Sequence, residues 1–449
     1  MARATSTSSS QGAKAAGGDV LEYSTLQPRK MTTEPPELNI QERPRLRLRL
    51  IAWLVAAALT VTGCDRPDAD ADPAARLQAL GYVEWVEVDE KDGGDGVRQL
   101  DPLRYAAGLN LVNSRLGQDA RIVDMEGRTL HRWTVSDPDD RWFHAELAPT
   151  GELLVITNGR SLQSIDPDSR VLWSNPLGAH HDLDVDALGR IFALRRLVDE
   201  VVWRGQPLRI VDEGIAILTP DGELERTIWL DRLLREYVDP AVLDAAVEKQ
   251  RALAARLRRH LGLARLDEQG ADVYHANSID VLDSDVPGLG QEGDVLVSLR
   301  ELDLLVVVDV AAEKIRWLWG SEQLDGPHHA SVLVDGNVLV FDNGRRRRWS
   351  RVIEVTPDGD IIWEYSGRPE NSLFSPRLGG CQKLWNGNVL VVESERGRAL
   401  EVSPTGDTVW EYLNPERDET GERRRPIERM TRISFPEWRS LSALFGRGA

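Results

Sequence analysis

Val332-Leu333-Val334-Asp335-Gly336-Asn337-Val338-Leu339-Val340, followed by Thr356-Pro357-Asp358-Gly359-Asp360-Ile361-Ile362-Trp363-Glu364-Tyr365, recurs further along as Lys383-Leu384-Trp385-Asn386-Gly387-Asn388-Val389-Leu390-Val391 and Ser403-Pro404-Thr405-Gly406-Asp407-Thr408-Val409-Trp410-Glu411-Tyr412. Each half is a short β-rich run broken by Asp-Gly, Asn-Gly or Thr-Gly, the sequence signal of an antiparallel hairpin. Weaker copies extend back to about residue 104. A tryptophan follows the second turn of every copy, at Trp133, Trp173, Trp229, Trp317, Trp363 and Trp410. Repeats of 40 to 56 residues with about four strands each are the signature of propeller blades. The reading is an all-β, six-bladed β-propeller in which one large ring per blade packs against the next blade.

One interval breaks the rhythm. Trp229 and Trp317 are 88 residues apart, and apolar residues recur at helical spacing between them: Leu233, Leu234, Tyr237, Val242, Leu243, Ala246, Leu253, Leu257 and Leu261. A helical insertion at about 230–267, between blades three and four, is expected. The segment from Arg425 onward is expected to close the ring or wrap its outside. The propeller is thus placed at 104–435, with a tail at 436–449, a tether and lead-in at 64–103, and an N-terminal extension with signal at 1–63.

Arg43, Arg45, Arg47 and Arg49 precede an apolar run from Leu50 to Val61, and Val61-Thr62-Gly63-Cys64 follows. The run is too short for the roughly 20 residues a spanning helix needs. It reads as a signal peptide ending in a lipobox, with Cys64 lipidated and the body tethered on the periplasmic side of a membrane. Met31 is a plausible start. Residues 1–63 carry eight Lys or Arg against five Asp or Glu, so the rest of a chain of net charge −18 is more negative still, near −21. Such a body is a poor nucleic-acid partner. A small anion would need a local cationic pocket. With two cysteines, Cys64 and Cys381, no disulfide framework is expected.

Five of the eight histidines stand where a repeat begins: His144, His181, His275, His328 and His329. The innermost strand of a blade begins beside the central channel, so histidines scattered in sequence are gathered on one axis. His181 and His328 each lie eight residues before a turn glycine, Gly189 and Gly336. The alternative is that one histidine per blade bonds the neighbouring blade. The sixth copy has Gly379-Gly380 instead, which would let a ligand approach the backbone. The spacing gives no support for a metal, because there is no HxH or HxxxH and the His180-His181 and His328-His329 pairs should point opposite ways in a strand. Of the run Arg345 to Arg348, an inward member could hold a sulfate or carboxylate.

These segments resemble the bacterial arylsulfate sulfotransferases, which use no nucleotide donor. His275-Ala276-Asn277-Ser278-Ile279-Asp280 is similar to the family's H-x-N-S-[IV]-D. His328-His329-Ala330 and Phe341-Asp342-Asn343-Gly344 are similar to its Q-H-x-A and F-D-N-G segments. The resemblance implies sulfuryl transfer from an aryl sulfate to a phenol through a sulfohistidine, without a cofactor or metal. It makes His275 and His328 pocket histidines, with His181 and His329 beside them and Arg346 or Arg347 as the cationic clamp. One departure stands out: the family's nucleophilic histidine aligns with Arg398, and no histidine lies between Asn371 and Val402. Two classes therefore stay open: an enzyme using His328, His329 or His181, and a noncatalytic lipid-anchored propeller that binds an anionic aromatic ligand or a protein. A quinone-binding propeller is a third reading, against which six blades count.

Overall fold

The computed structural model describes residues 85–88, 94–261 and 270–442. Six antiparallel sheets of four or five strands follow one another along the chain; four are simple meanders, and the first and last each include a strand from the other end of the chain. The fold is the six-bladed β-propeller expected. Its inner strands are Trp142–Leu147, Ala179–Val185, Ala276–Val281, Pro327–Val332, Gly380–Lys383 and, for blade one, the late strand Ile427–Ser434. Ile427–Ser434 pairs with Gly108–Ser114 and lies against the inner strands of blades two and six, so the tail closes the ring from inside. The lead-in also joins the propeller: Gly96–Leu100 pairs with Thr408–Leu413 as a fifth strand of blade six. Cys64 and the segment read as a signal lie outside the described residues.

Several middle strands read as near-continuous apolar runs because both faces of a blade are covered by its neighbours. In blade four every residue of Val295–Leu299 and Leu304–Asp309 is buried, which is why these runs lack the alternation of a half-exposed strand. Each of the six tryptophans sits on the fourth strand of its blade. Three of them repeat one inter-blade bond. Trp317, Trp363 and Trp410 donate Nε1–H to Pro357 O (2.9 Å), Pro404 O (3.0 Å) and Met125 O (2.9 Å), each in the outer turn of the next blade. Trp173 uses the same turn differently: a Cβ at Gly222 would lie 2.4 Å from its ring, so glycine is required there.

The helical insertion consists of α1 (Leu230–Tyr237) and α2 (Pro240–Leu261). Leu233, Leu234, Leu243 and Ala246 enter the core shared by blades three and four, whereas Tyr237 and Leu253 remain exposed. The repeats gave no sign that blade three has long middle strands, Ile191–Trp203 and Gln206–Leu218. Their hairpin leans on the insertion through Trp203 Nε1–H to Asp244 Oδ1 (3.0 Å), with the Arg235 guanidinium 4.7 Å above the Trp203 ring. Among the described residues no helix is long and apolar enough to cross a membrane.

Around the channel, side chains of one inner strand accept backbone N–H groups of the next. Asp182 accepts from Ile279 (3.2 Å), Asp184 from Val281 (2.6 Å), Asp280 from Val332 (2.9 Å) and Ser278 Oγ from Ala330 (3.0 Å). His329 Nδ1 accepts from Cys381 (2.8 Å) and Gln382 Oε1 from Arg432 (2.7 Å). This chain of bonds accounts for carboxylates inside a channel, since a buried polar group is tolerated when it is paired.

Candidate functional site

The first residues of the inner strands meet at one end of the channel, around a small, mostly polar cavity. His144, His181, His328 and His329 line it together with Asn277, Gly379 and Arg429. Pairing slips by a residue or more at the start of four inner strands, between Trp142 and His144, Ala179 and Leu183, Ala276 and Ser278, and His328 and Ser331. At two of these bulges His181 and His329 adopt positive φ (59° and 44°), as does His275 (50°) just before a third, a left-handed conformation costly for a residue with a Cβ. The bulges also correct the expectation that adjacent histidines point apart: His328 and His329 both line the cavity, because an extra residue interrupts strand alternation.

Two neighbouring histidines are fixed in opposite tautomers. Nδ1 of His328 faces two acceptors, Asn343 Oδ1 at 2.7 Å and Gly326 O at 3.2 Å, so Nδ1 carries the hydrogen and Nε2 the lone pair. Asn343 cannot turn over, because its Nδ2 donates to Ser375 O (2.6 Å) and Leu378 O (2.8 Å). His329 Nδ1 accepts the Cys381 N–H, so its hydrogen is on Nε2. The cavity wall thus holds one imidazole with a lone pair to give and one with a hydrogen to give. Burial, with the Arg300 charge second, pushes His328 down to about 3. Burial pushes His144 down to about 4 against the pull of Asp182, and His181 and His329 well below the usual range. All four are neutral at pH 7.

His275 stands one layer back. Its ring lies 4.8 Å from that of His181, and its Nδ1 is hydrogen-bonded to Asp272 Oδ2. The inner-strand bonding foreseen as an alternative role for the histidines is what His329 does toward blade six. Gly379 has a structural reason as well, since a Cβ there would meet the Phe341 ring at 2.3 Å. Cys381 is buried beside it, and burial pushes its thiol up, so it is no thiolate.

The arginine run lies outside the cavity. Arg346 is paired with Asp303 (2.8 Å) and Asp325 (3.3 Å) and its side chain is 68% exposed; Arg347 is paired with Asp342 (2.9 Å) and lies over the Trp349 ring. Arg398, at the aligned nucleophile position, is held by Glu411 (2.6 Å) and Glu393 (3.3 Å) and does not line the cavity. The cation that does is Arg429, on the ring-closing strand, 2.6 Å from Asp182. Its signal in the sequence was indirect: the first copy lacks a strand, so the tail must bring an inner strand whose start falls level with the histidines.

The fold is thus a closed ring of six blades whose channel mouth gathers neutral histidines, Arg429 and Glu428, the last paired with Arg115 (2.7 Å). Arylsulfotransferase (ASST) family models match residues 96–326, more than half of the chain, and residues 242–415. The chain belongs to the arylsulfotransferase family. No curated protein matches it. Solved structures similar to it include a protein of unknown function from Bacteroides caccae (12% identity over 72% of this chain and 98% of that one, TM-score 0.47). Virginiamycin B lyase from Staphylococcus aureus is another (10% identity, 72% and 89%, TM-score 0.40).

Proposed function

We propose that this protein transfers a sulfuryl group from an aryl sulfate to a phenol, with His328 as the nucleophile. The observation that carries the reading is the locked tautomer of His328, whose Nε2 lone pair belongs to a neutral, buried imidazole in the cavity wall. Nε2 attacks sulfur; the N–S bond forms as the S–O(aryl) bond breaks, and the aryl oxygen leaves with the electron pair and takes up a proton. An N-sulfohistidine remains. A second phenol gives up its proton and attacks the same sulfur, and the N–S electron pair returns to Nε2. Arg429 and the Nε2–H of His329 are the donors at hand for the sulfonate oxygens, fixed in place before charge develops on them.

The test is release of nitrophenol from 4-nitrophenyl sulfate by the purified full chain, with and without a phenol acceptor. Release that requires the acceptor, a gain of one SO3 on His328 when the acceptor is withheld, and loss of both in His328→Ala support the reading. A folded protein without turnover would leave an anion-binding propeller instead. We also propose that Cys64 is lipidated and holds the body at the outer face of a membrane, on the strength of the arginine-led apolar run before it. Metabolic labelling with palmitate, abolished in Cys64→Ser, is the check.

A further inference from the structure

Behind the cavity wall lies a pair of buried groups that the transfer as written does not use. Asp272 and His275 flank the start of blade four's inner strand, and the backbone there is pinned on both sides. Arg300 N–H bonds His275 O (3.1 Å), Glu301 N–H bonds Tyr274 O (3.2 Å), and Ala276 N–H donates to Glu213 Oε2 (2.5 Å). The pinned His275 keeps its positive φ and gives its Nδ1–H to Asp272 Oδ2. Its Nε2 is buried with no hydrogen-bond partner, and so is Asp272 Oδ1. Burial pushes Asp272 up, but the His275 ring and Arg300 outweigh it and the carboxylate stays ionised; burial, with the Arg300 charge second, pushes His275 down against the pull of Asp272, so its ring is neutral at rest. A buried nitrogen without a partner costs stability and gives nothing back in the resting fold. The ring sits against His181, which is in the cavity wall. His180 packs edge-on against the other side of His181, at 4.9 Å.

We propose that the Asp272–His275 pair is the proton store of the reaction, with His181 as the group that meets the phenolic oxygen and Asp272 as a positioning residue. The proposal rests on the sulfuryl-transfer reading. The acceptor phenol loses its proton to His181, and His275 Nε2 takes it from there, becoming an imidazolium held by the Asp272 carboxylate. In the next half-reaction the same proton returns by the same route to the aryl oxygen as the S–O bond breaks. One proton is taken and one is given per cycle, so no outside acid or base is consumed. Asp272 keeps the hydrogen on Nδ1 and the lone pair on Nε2, the logic by which a carboxylate orients a catalytic imidazole.

The experiment compares two donors in the wild type and in Asp272→Asn, which keeps the shape and an oxygen acceptor but removes the charge. 4-Nitrophenolate is a good enough leaving group to depart without a proton, whereas the phenolate of phenyl sulfate is not. The variant is expected to form sulfohistidine from 4-nitrophenyl sulfate within a few-fold of the wild-type rate, which also shows that it is folded and its site intact. With phenyl sulfate as donor and a phenol as acceptor, its turnover, which in every cycle after the first draws on the proton the acceptor has left, should fall on the order of 10²–10⁴-fold. An equal loss with both donors, or no loss with either, overturns the proton store while leaving the transfer reading standing. A wild type that forms no sulfohistidine from either donor removes both.

Discussion

Asn343 Oδ1 stands 2.7 Å from Nδ1 of His328, and the Asn343 amide nitrogen is tied to two backbone carbonyls, so one asparagine decides which nitrogen of the histidine can react. In Asn343→Ala the ring is free to take the other tautomer. Formation of the sulfohistidine should slow by about 10²–10⁴-fold, in the range seen when a catalytic imidazole loses its orienting partner. Nitrogen NMR of a His-labelled sample should show the Nε2–H form of His328 appearing. An unchanged rate would remove His328 from the nucleophile's role.

Arg429 is the cation at the cavity, and Arg346 is not. Arg429→Met is expected to raise KM for the aryl sulfate about 10- to 100-fold, the loss of a charge-assisted hydrogen bond of about 1.5–3 kcal/mol. Arg346→Met, whose own side chain is largely exposed and whose partners Asp303 and Asp325 stand outside the cavity, should leave KM within about two-fold. Steady-state kinetics on the two variants separates the positions. The reverse order would place the clamp in the arginine run after all.

The blades were legible because turn glycines and the tryptophan recur at fixed places, and each mark answers a local need: a tight turn, or an indole reaching the next blade's carbonyl. The histidines were legible because inner strands start beside one axis. Arg429 was not, because its strand has no neighbour in sequence to be a copy of; only the count of strands in blade one points to it. The side on which each histidine falls was also hidden, because a bulge is a backbone event. Alternation predicts that His328 and His329 diverge, and the slip between His328 and Ser331 brings them together. The arginine run misled for an electrostatic reason, since four adjacent guanidinium groups need carboxylates, and Asp303, Asp325 and Asp342 meet Arg346 and Arg347 outside the cavity.

Acid should affect the site later than an ordinary histidine would suggest. With His328 pushed down to about 3, the acid limb of kcat/KM assigned to it lies near pH 3 and not near 6.5. Stability responds sooner. Between the unfolded value of about 6.5 and the folded values, the unfolded chain binds protons that the buried His144 and His328 do not, so these two groups remove stability as pH falls through that window. Glu146 and Asp184 act in the opposite sense. Burial raises both to about 7, and the stability that follows from their protonated form is present below about 4 and lost as pH rises through 7. Glu146 Oε2 is 3.4 Å from His144 Nε2, at the cavity wall. Ionisation near pH 7 therefore places negative charge beside the anion site, and KM for an aryl sulfate should rise between pH 6 and 8. Glu146→Gln should flatten that rise; a slope unchanged in the variant would assign it to another group.

The ring is closed by a buried ion pair, and its energetics can be tested directly. Arg432 on the closing strand bonds Glu401 Oε2 (2.7 Å) in blade six, Ala106 O (2.6 Å) and Asn110 Oδ1 (2.6 Å), and its guanidinium lies 5.0 Å from the Trp410 ring centroid. Both charged side chains are 0% exposed. Glu401 Oε1 in turn accepts from Ala106 N (2.6 Å) and Asn388 Nδ2 (2.7 Å), so both carboxylate oxygens are engaged, whereas Arg432 Nη2 is buried without a hydrogen-bond partner. Removing one partner strands the other charge in the core, and Arg432→Ala should lose about 3–5 kcal/mol. Replacing both, Arg432→Met with Glu401→Leu, removes the desolvation cost along with the attraction and should recover most of the loss, because a buried pair and an apolar pair of similar volume are often close in stability. Urea midpoints for the single and double variants, read by circular dichroism, make the comparison. If the double variant is as unstable as the single one, the latch depends on the backbone bonds to Ala106 more than on the paired charges, and ring closure is a matter of hydrogen-bond satisfaction at the closing strand.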